Sequence, residues 1–321
     1  MVGHDRLFRN ALIRCGALTL LPLFFFCVAP VRAAHEEEPK VTIVPRPPRP
    51  QTARERKTGT IRLDVQAILV PVTVTDSLDR PVDGLRKDDF QLFEDNLKQQ
   101  IVSFSSEDAP ASVGLIFDAS GSMSNKIRAS ADAVDQFFKT TVPGDEFLLV
   151  RFSDKPQFTA GFTPNVEDIS HWIHSTRPAG WTALNDAICL GIQKMKTAKN
   201  PRKILLVLSD GGDNNSRYSS REIRELVREA GVEIYSISFF QRSRLLENIS
   251  AESGGRLVLV RHIGDLPDAV EKLSREIRTQ YLLTYYSSNS QNDGKYRRVR
   301  VELAHPDLRV SWRRGYYAPV D

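Results

Sequence analysis

The hydrophobic pattern in the middle of the chain alternates between short apolar runs and amphipathic stretches. The continuous apolar run at 113–117 predicts a strand that is buried on both faces. At 125–139, apolar residues recur every three to four positions, which predicts an amphipathic helix. The alternation continues with predicted strands at 147–150, 203–208, 232–239 and 257–260, and with predicted helices at 183–195, 220–230 and 266–277. Strands separated by helices predict an α/β fold with a doubly wound, mostly parallel sheet flanked by helices.

The two flanks of this region have β character. Residues 60–105 contain three short runs rich in β-branched and aromatic residues, and residues 281–318 contain three more. Neither set is long enough to close a stable sandwich alone. We therefore expect the two sets to pair in one small antiparallel β-sandwich. The predicted units are an N-terminal half at 60–108, an inserted α/β domain at 109–280 and a C-terminal half at 281–321.

The N-terminus has the pattern of an export signal. Three arginines precede an apolar run at 17–28, and small residues follow at 31–33, so residues 1–34 are predicted to be a cleaved signal peptide. The alternative is a retained anchor, although the run is short for a membrane span. The proline-rich, charged stretch 35–59 predicts a disordered linker. The product would be periplasmic or at the cell surface, with no stable membrane span.

Charge and cysteine content restrict the function classes. The formal net charge is +4, but residues 1–33 hold four arginines and one aspartate, which leaves +1 for the remainder. A nearly neutral protein lacks the basic surface that nucleic-acid binding requires. Only Cys189 lies outside the signal segment, so no intrachain disulfide can form. The sequence gives no indication of the oligomeric state.

Polar loops follow the predicted buried strands where ligands bind in parallel sheets, at the carboxyl ends. Asp118, Ser120 and Ser122 follow the first strand, Asp210 follows the strand at 203–208, and Thr182 precedes the helix at 183–195. These side chains are oxygen donors only, a set that suits Mg²⁺ first and Mn²⁺ or Ca²⁺ as alternatives. Because most of these side chains are neutral, they would compensate the charge of the cation only in part. An incoming carboxylate would then bind well at a vacant coordination position.

The spacing Asp118-x-Ser120-x-Ser122, followed by Thr182 and then Asp210-Gly211, resembles the metal-ion-dependent adhesion site of von Willebrand factor type A domains. The resemblance covers roughly residues 112–280. Over the longer range 60–318, the chain resembles a bacterial exported subfamily that is related to these domains. The resemblance implies that the serines and threonine bind a metal, that the aspartates act directly or through water, and that an acidic residue of a protein partner completes the shell. The expected function is binding or adhesion, not catalysis.

Three alternatives stay open from the residues alone. Each piece of the cluster could be structural, since serine and aspartate commonly cap helices. A hydrolase could use Ser120 with Asp118, although no nucleophile-elbow or P-loop motif is present. The α/β domain could also be a scaffold for a β-sandwich that does the binding. His171 and His174, three positions apart on a predicted helix, have no acidic neighbour in sequence and are expected on an exposed face.

Overall fold

The computed structural model describes residues 67–106, 108–158 and 161–320. The expected signal peptide 1–34 and linker 35–59 lie outside the described residues. The strands are β1 (Ala67–Thr75), β2 (Phe90–Glu94), β3 (Leu97–Gln99), β4 (Ile101–Ser105), β5 (Ala111–Asp118), β6 (Glu146–Phe152), β7 (Pro156–Phe158), β8 (Arg202–Ser209), β9 (Glu233–Phe239), β10 (Leu257–Val260), β11 (Gln280–Tyr286), β12 (Tyr296–Leu303), β13 (Arg309–Trp312) and β14 (Gly315–Tyr317). The α-helices are α1 (Ile127–Phe138), α2 (Val166–His174), α3 (Leu184–Met195), α4 (Ser220–Ala230), α5 (Arg244–Ser253) and α6 (Leu266–Arg278).

The central sheet has six strands in the order β10-β9-β8-β5-β6-β7. All neighbouring pairs are parallel except β6 and β7. Every residue of β5 is buried, because helices cover both faces of the sheet. Successive side chains face opposite cores. Leu115 belongs to the apolar cluster that includes residues of α1, α2 and α6, and Ile116 belongs to the cluster that includes residues of α3, α4 and α5. The predicted doubly wound α/β fold is confirmed.

Two elements of this domain were not predicted, and helix α1 starts two residues later than expected. Helix α5 is short, but Ser243 caps its start and Gly254, with φ of 99°, ends it. Strand β7 has only three residues and none is buried. Its sequence therefore has no apolar periodicity from which a strand could be predicted. Helix α1 begins at Ile127 rather than at 125, and a 3-10 turn at 121–123 precedes it.

Two four-stranded antiparallel sheets combine the flanking segments, in the orders β13-β1-β11-β4 and β14-β12-β2-β3. Strand β1 lies between β11 and β13, which both come from the C-terminal segment. One apolar cluster takes side chains from both sheets, including Val72, Leu92, Tyr285 and Val301. The antiparallel unit expected from the two ends of the chain is therefore present.

A buried polar network joins the parallel sheet to this antiparallel unit at the edge opposite the strands' carboxyl ends. Arg202, the first residue of β8, is 2% exposed and donates to Gln280 Oε1 at 2.8 Å. Gln280 Nε2 in turn donates to Glu233 Oε2 at 2.6 Å. Burial raises the pKa of Glu233, and the charge of Arg202 opposes that rise.

None of the described helices has both the length and the hydropathy that a membrane span requires.

Candidate functional site

The three polar loops predicted from the sequence lie side by side at the carboxyl ends of β5 and β8. Gly121 N donates to Gly180 O at 3.1 Å, which joins the loop after β5 to the loop before α3. Asn214 N donates to Thr182 O at 3.0 Å, which joins that second loop to the loop after β8. Backbone hydrogen bonds thus hold the three loops at a single edge of the sheet.

Asp118 is the last residue of β5 and is fully buried. Its Oδ1 accepts from Ser120 N at 2.9 Å, and its Oδ2 accepts from Ser209 Oγ at 2.6 Å. Burial raises the pKa of Asp118, the hydrogen bonds from Ser120 and Ser209 oppose this, and the charge of Asp210 adds to the rise. Among the described residues no basic side chain forms an ion pair with it. Asp118 is therefore a buried carboxylate without a countercharge, which is costly in a protein interior.

The rest of the cluster extends from Asp118 toward solvent and includes Ser120, Ser122 and Asp210. The hydroxyls of Ser120 and Ser122 lie 3.1 Å apart, with Ser120 buried and Ser122 exposed. Burial opposes ionisation of Asp210, but hydrogen bonds from Ser122 and Lys126 outweigh it and hold its pKa below the ordinary value. Lys126 Nζ lies 3.0 Å from Asp210 Oδ2. The Ser122 side of the cluster is accessible, and Lys126 already places one positive charge beside Asp210.

Thr182 is buried, and its loop is held by polar side chains from neighbouring loops. Thr182 N donates to Asn214 Oδ1 at 2.8 Å. Trp181 N donates to Asp154 Oδ1 at 2.7 Å, while the indole of Trp181 stays 63% exposed. Asp213 Oδ1 accepts from Leu184 N at 3.0 Å at the start of α3. The residues that follow Asp210 thus position the threonine loop, a role that the sequence alone does not reveal.

Gly211 is required by the close packing beside Asp210. Its φ is +80°, and a Cβ there would lie 2.5 Å from Ser243 Cβ. We expect Gly211→Ala to lower the free energy of unfolding by about 2 kcal/mol, since both strain and overlap must be relieved. The matched control is Gly212→Ala, whose Cβ would meet nothing nearer than Asp210 Oδ1 at 3.8 Å. Urea denaturation of both variants would measure the difference, and equal stabilities would contradict the prediction.

A second polar cluster lies between α1 and α2, away from the loops described above. His174 Nε2 is 2.7 Å from Asp135 Oδ2, and Asp132 is close enough to share an ion with both. The sequence indicated no acidic partner for His174, but α1 packs beside α2 and brings Asp135 to it. Exposed pairs of this kind are common on protein surfaces and contribute little to stability, so we assign no function to them.

The fold is a doubly wound α/β domain. At the carboxyl edge of its parallel sheet lies a polar site whose five candidate ligands offer only oxygen atoms. Residues 113–212 match the family model of the von Willebrand factor type A domain. That range runs from β5 to the loop after β8 and holds all five predicted site residues. This region of the chain therefore matches a von Willebrand factor type A domain, as the residue pattern indicated.

Two proteins of similar sequence are much longer than this chain. The chain is 23% identical to inter-alpha-trypsin inhibitor heavy chain H4 of Bos taurus, over 56% of this chain and 22% of that protein. It is 26% identical to heavy chain H3 of Bos taurus, over 50% of this chain and 20% of that protein. The chain thus matches about a fifth of the length of these relatives. Proximal thread matrix protein 1 from the mussel byssus, solved with a zinc-occupied MIDAS motif, shares the fold with a TM-score of 0.50 and 20% identity, over 58% of this chain and 50% of that one.

Proposed function

We propose that this domain is an exported binding module that holds one divalent cation and engages an acidic residue of a protein partner through it. The residues that would hold the cation are Asp118, Ser120, Ser122, Thr182 and Asp210. The observation that carries the proposal is the fully buried Asp118, which has no basic partner among the described residues. A cation beside it would supply the missing countercharge.

The donor set fits a hard cation. It contains carboxylate and hydroxyl oxygens without histidine or cysteine, which favours Mg²⁺ and admits Mn²⁺ or Ca²⁺. When bound, the cation would supply the positive charge that attracts a partner's carboxylate. Exposed Ser122 leaves one side of the cluster open to such a partner. The exposed indole of Trp181, beside Thr182, would add an apolar contact of the kind enriched at interfaces.

The contacts of Ser120 support binding over hydrolysis. A serine nucleophile needs a general base within hydrogen-bond reach. The Ser120 hydroxyl meets the hydroxyl of Ser122, and no described contact brings an imidazole to it. We therefore propose that Ser120 acts as a ligand and that the domain recognises its partner without chemical turnover.

Two serines of the same loop provide the test. Ser122 contacts Ser120 and Asp210, whereas Ser124 Oγ donates to the backbone oxygen of Gly121 at 2.6 Å. In calorimetric titrations with Mn²⁺, we expect one site in the wild type and an affinity about tenfold weaker in Ser122→Ala, because one of the few ligand oxygens is lost. Ser124→Ala should bind as the wild type does. Absence of Mn²⁺ binding, or equal loss in both variants, would refute the proposal.

A further inference from the structure

Lys126 is a buried lysine at the edge of the proposed cation site. It directly precedes α1 and is 6% exposed, which is rare for a lysine unless it is paired. Its pair is Asp210, 84 positions away, at 3.0 Å from Nζ to Oδ2. The same carboxylate accepts a hydrogen bond from Ser122. One proposed ligand of the cation is therefore already bound to an internal ammonium group.

The aromatic ring of Phe240 covers this ammonium. The ring centroid lies 5.3 Å from Lys126 Nζ, within the range of a cation–π contact. Phe240 has φ of 65°, a strained conformation for a bulky residue, and its side chain is 53% exposed rather than packed in the core. Its backbone N donates to Val260 O at 2.9 Å, which fixes the turn after β9. Strained residues of this kind cluster at functional sites, and the ring of this one lies over the lysine.

We propose that Lys126 is an internal competitor of the divalent cation, and that it keeps the site's affinity low until a partner's carboxylate arrives. This inference rests on the proposed function, since it concerns the same site. Without a cation, two carboxylates (Asp118 and Asp210) and one ammonium (Lys126) give the cluster a formal charge of −1. A divalent cation changes that charge to +1, which a single carboxylate neutralises.

The electrostatic consequence is coupling between cation and partner. Without the partner, the cation and the ammonium share Asp210 and repel each other, which weakens cation binding. With the partner's carboxylate present, the added negative charge offsets this repulsion. Each ligand then strengthens the binding of the other, because the coupling between two bound ligands is reciprocal.

The experiment compares Mn²⁺ affinity in the full chain and in charge variants, by isothermal titration calorimetry. Lys126→Met keeps the apolar stem and removes the charge, and we expect it to bind Mn²⁺ about tenfold more tightly than the wild type, because the repulsion is gone. Lys126→Gln also removes the charge but can still donate to Asp210, so it replaces the methionine variant if that one does not fold. The control is Lys139→Met, which removes an exposed charge just beyond α1.

The outcomes separate this inference from the proposed function. Tighter Mn²⁺ binding in either Lys126 variant, with Lys139→Met unchanged, would support competition. Equal or weaker binding in both Lys126 variants, with normal binding in the wild type, would overturn the competitor role and leave the cation site standing. If no protein in the set binds Mn²⁺, both proposals fail.

Discussion

Asp118→Asn is expected to weaken Mn²⁺ binding at least about a hundredfold, the equivalent of about 2.7 kcal/mol. Asp118 is the fully buried carboxylate of the cluster, and a neutral amide cannot replace its charge beside a divalent cation. The same change should not destabilise the cation-free protein. Removing a buried charge without a countercharge saves its desolvation cost, while the remaining side-chain oxygen can still accept from Ser120 N. Calorimetry measures the affinity, and urea denaturation in the presence of a chelator measures the stability.

One control variant makes the Asp118 result specific. Asp307→Asn removes one exposed carboxylate from the loop between β12 and β13 and should leave Mn²⁺ affinity unchanged. If Asp118→Asn bound Mn²⁺ as the wild type does, Asp118 would not be a ligand. If it strongly destabilised the chelated protein instead, the role of Asp118 would be to support the loop rather than to bind the cation.

Deleting residues 281–321 is expected to abolish hydrogen-exchange protection throughout 67–105. We propose that the flanking segments form one folding unit, because β1 pairs with β11 and β13 and β2 pairs with β12. The deletion removes all three of these partners, and it exposes the apolar cluster around Val72 and Leu92. Strands β1 and β4 then have no partner strand among the described residues, and the β2–β3 hairpin alone, without a buried face, is marginally stable at best. Exchange measured by mass spectrometry would report each segment separately.

A shorter deletion provides the control for this experiment. Removing 318–321 takes away only the residues beyond β14 and should leave β1 protected. In the long deletion, β5 and β8 should keep much of their protection, since their cores come from the helices around them. Protection of β1 amides in the long deletion at the wild-type level would contradict the single folding unit.

The sequence predicted well those features whose signals lie close together along the chain. Helix α4 has the predicted bounds because Ser219 and Glu222 form a capping box and Gly231, with φ of 62°, ends the helix. Strand β5 was recognisable because both faces are buried and its run is uniformly apolar. Asp118, Ser120 and Ser122 were found together because they lie within five consecutive residues at the end of β5, and this strand context placed them at the carboxyl edge.

Features that depend on packing between distant segments could not be predicted. The ion pair of Lys126 with Asp210 spans 84 positions, and the contact of His174 with Asp135 spans 39. Both contacts depend on which helix or loop packs beside another. The hydrophobic periodicity of the sequence predicts the elements themselves but not how they pack together. The role of Asn214 in holding Thr182 is similar, since the residue reads as an ordinary turn position.

The most direct test of the central claim is anomalous diffraction from crystals of the full chain grown with Mn²⁺. The account predicts one anomalous peak at the carboxyl edge of the central sheet, within coordination distance of the Ser120 and Ser122 hydroxyls and beside Asp118, Thr182 and Asp210. A map without a peak among these residues, at a Mn²⁺ concentration that saturates the protein in solution, would contradict it.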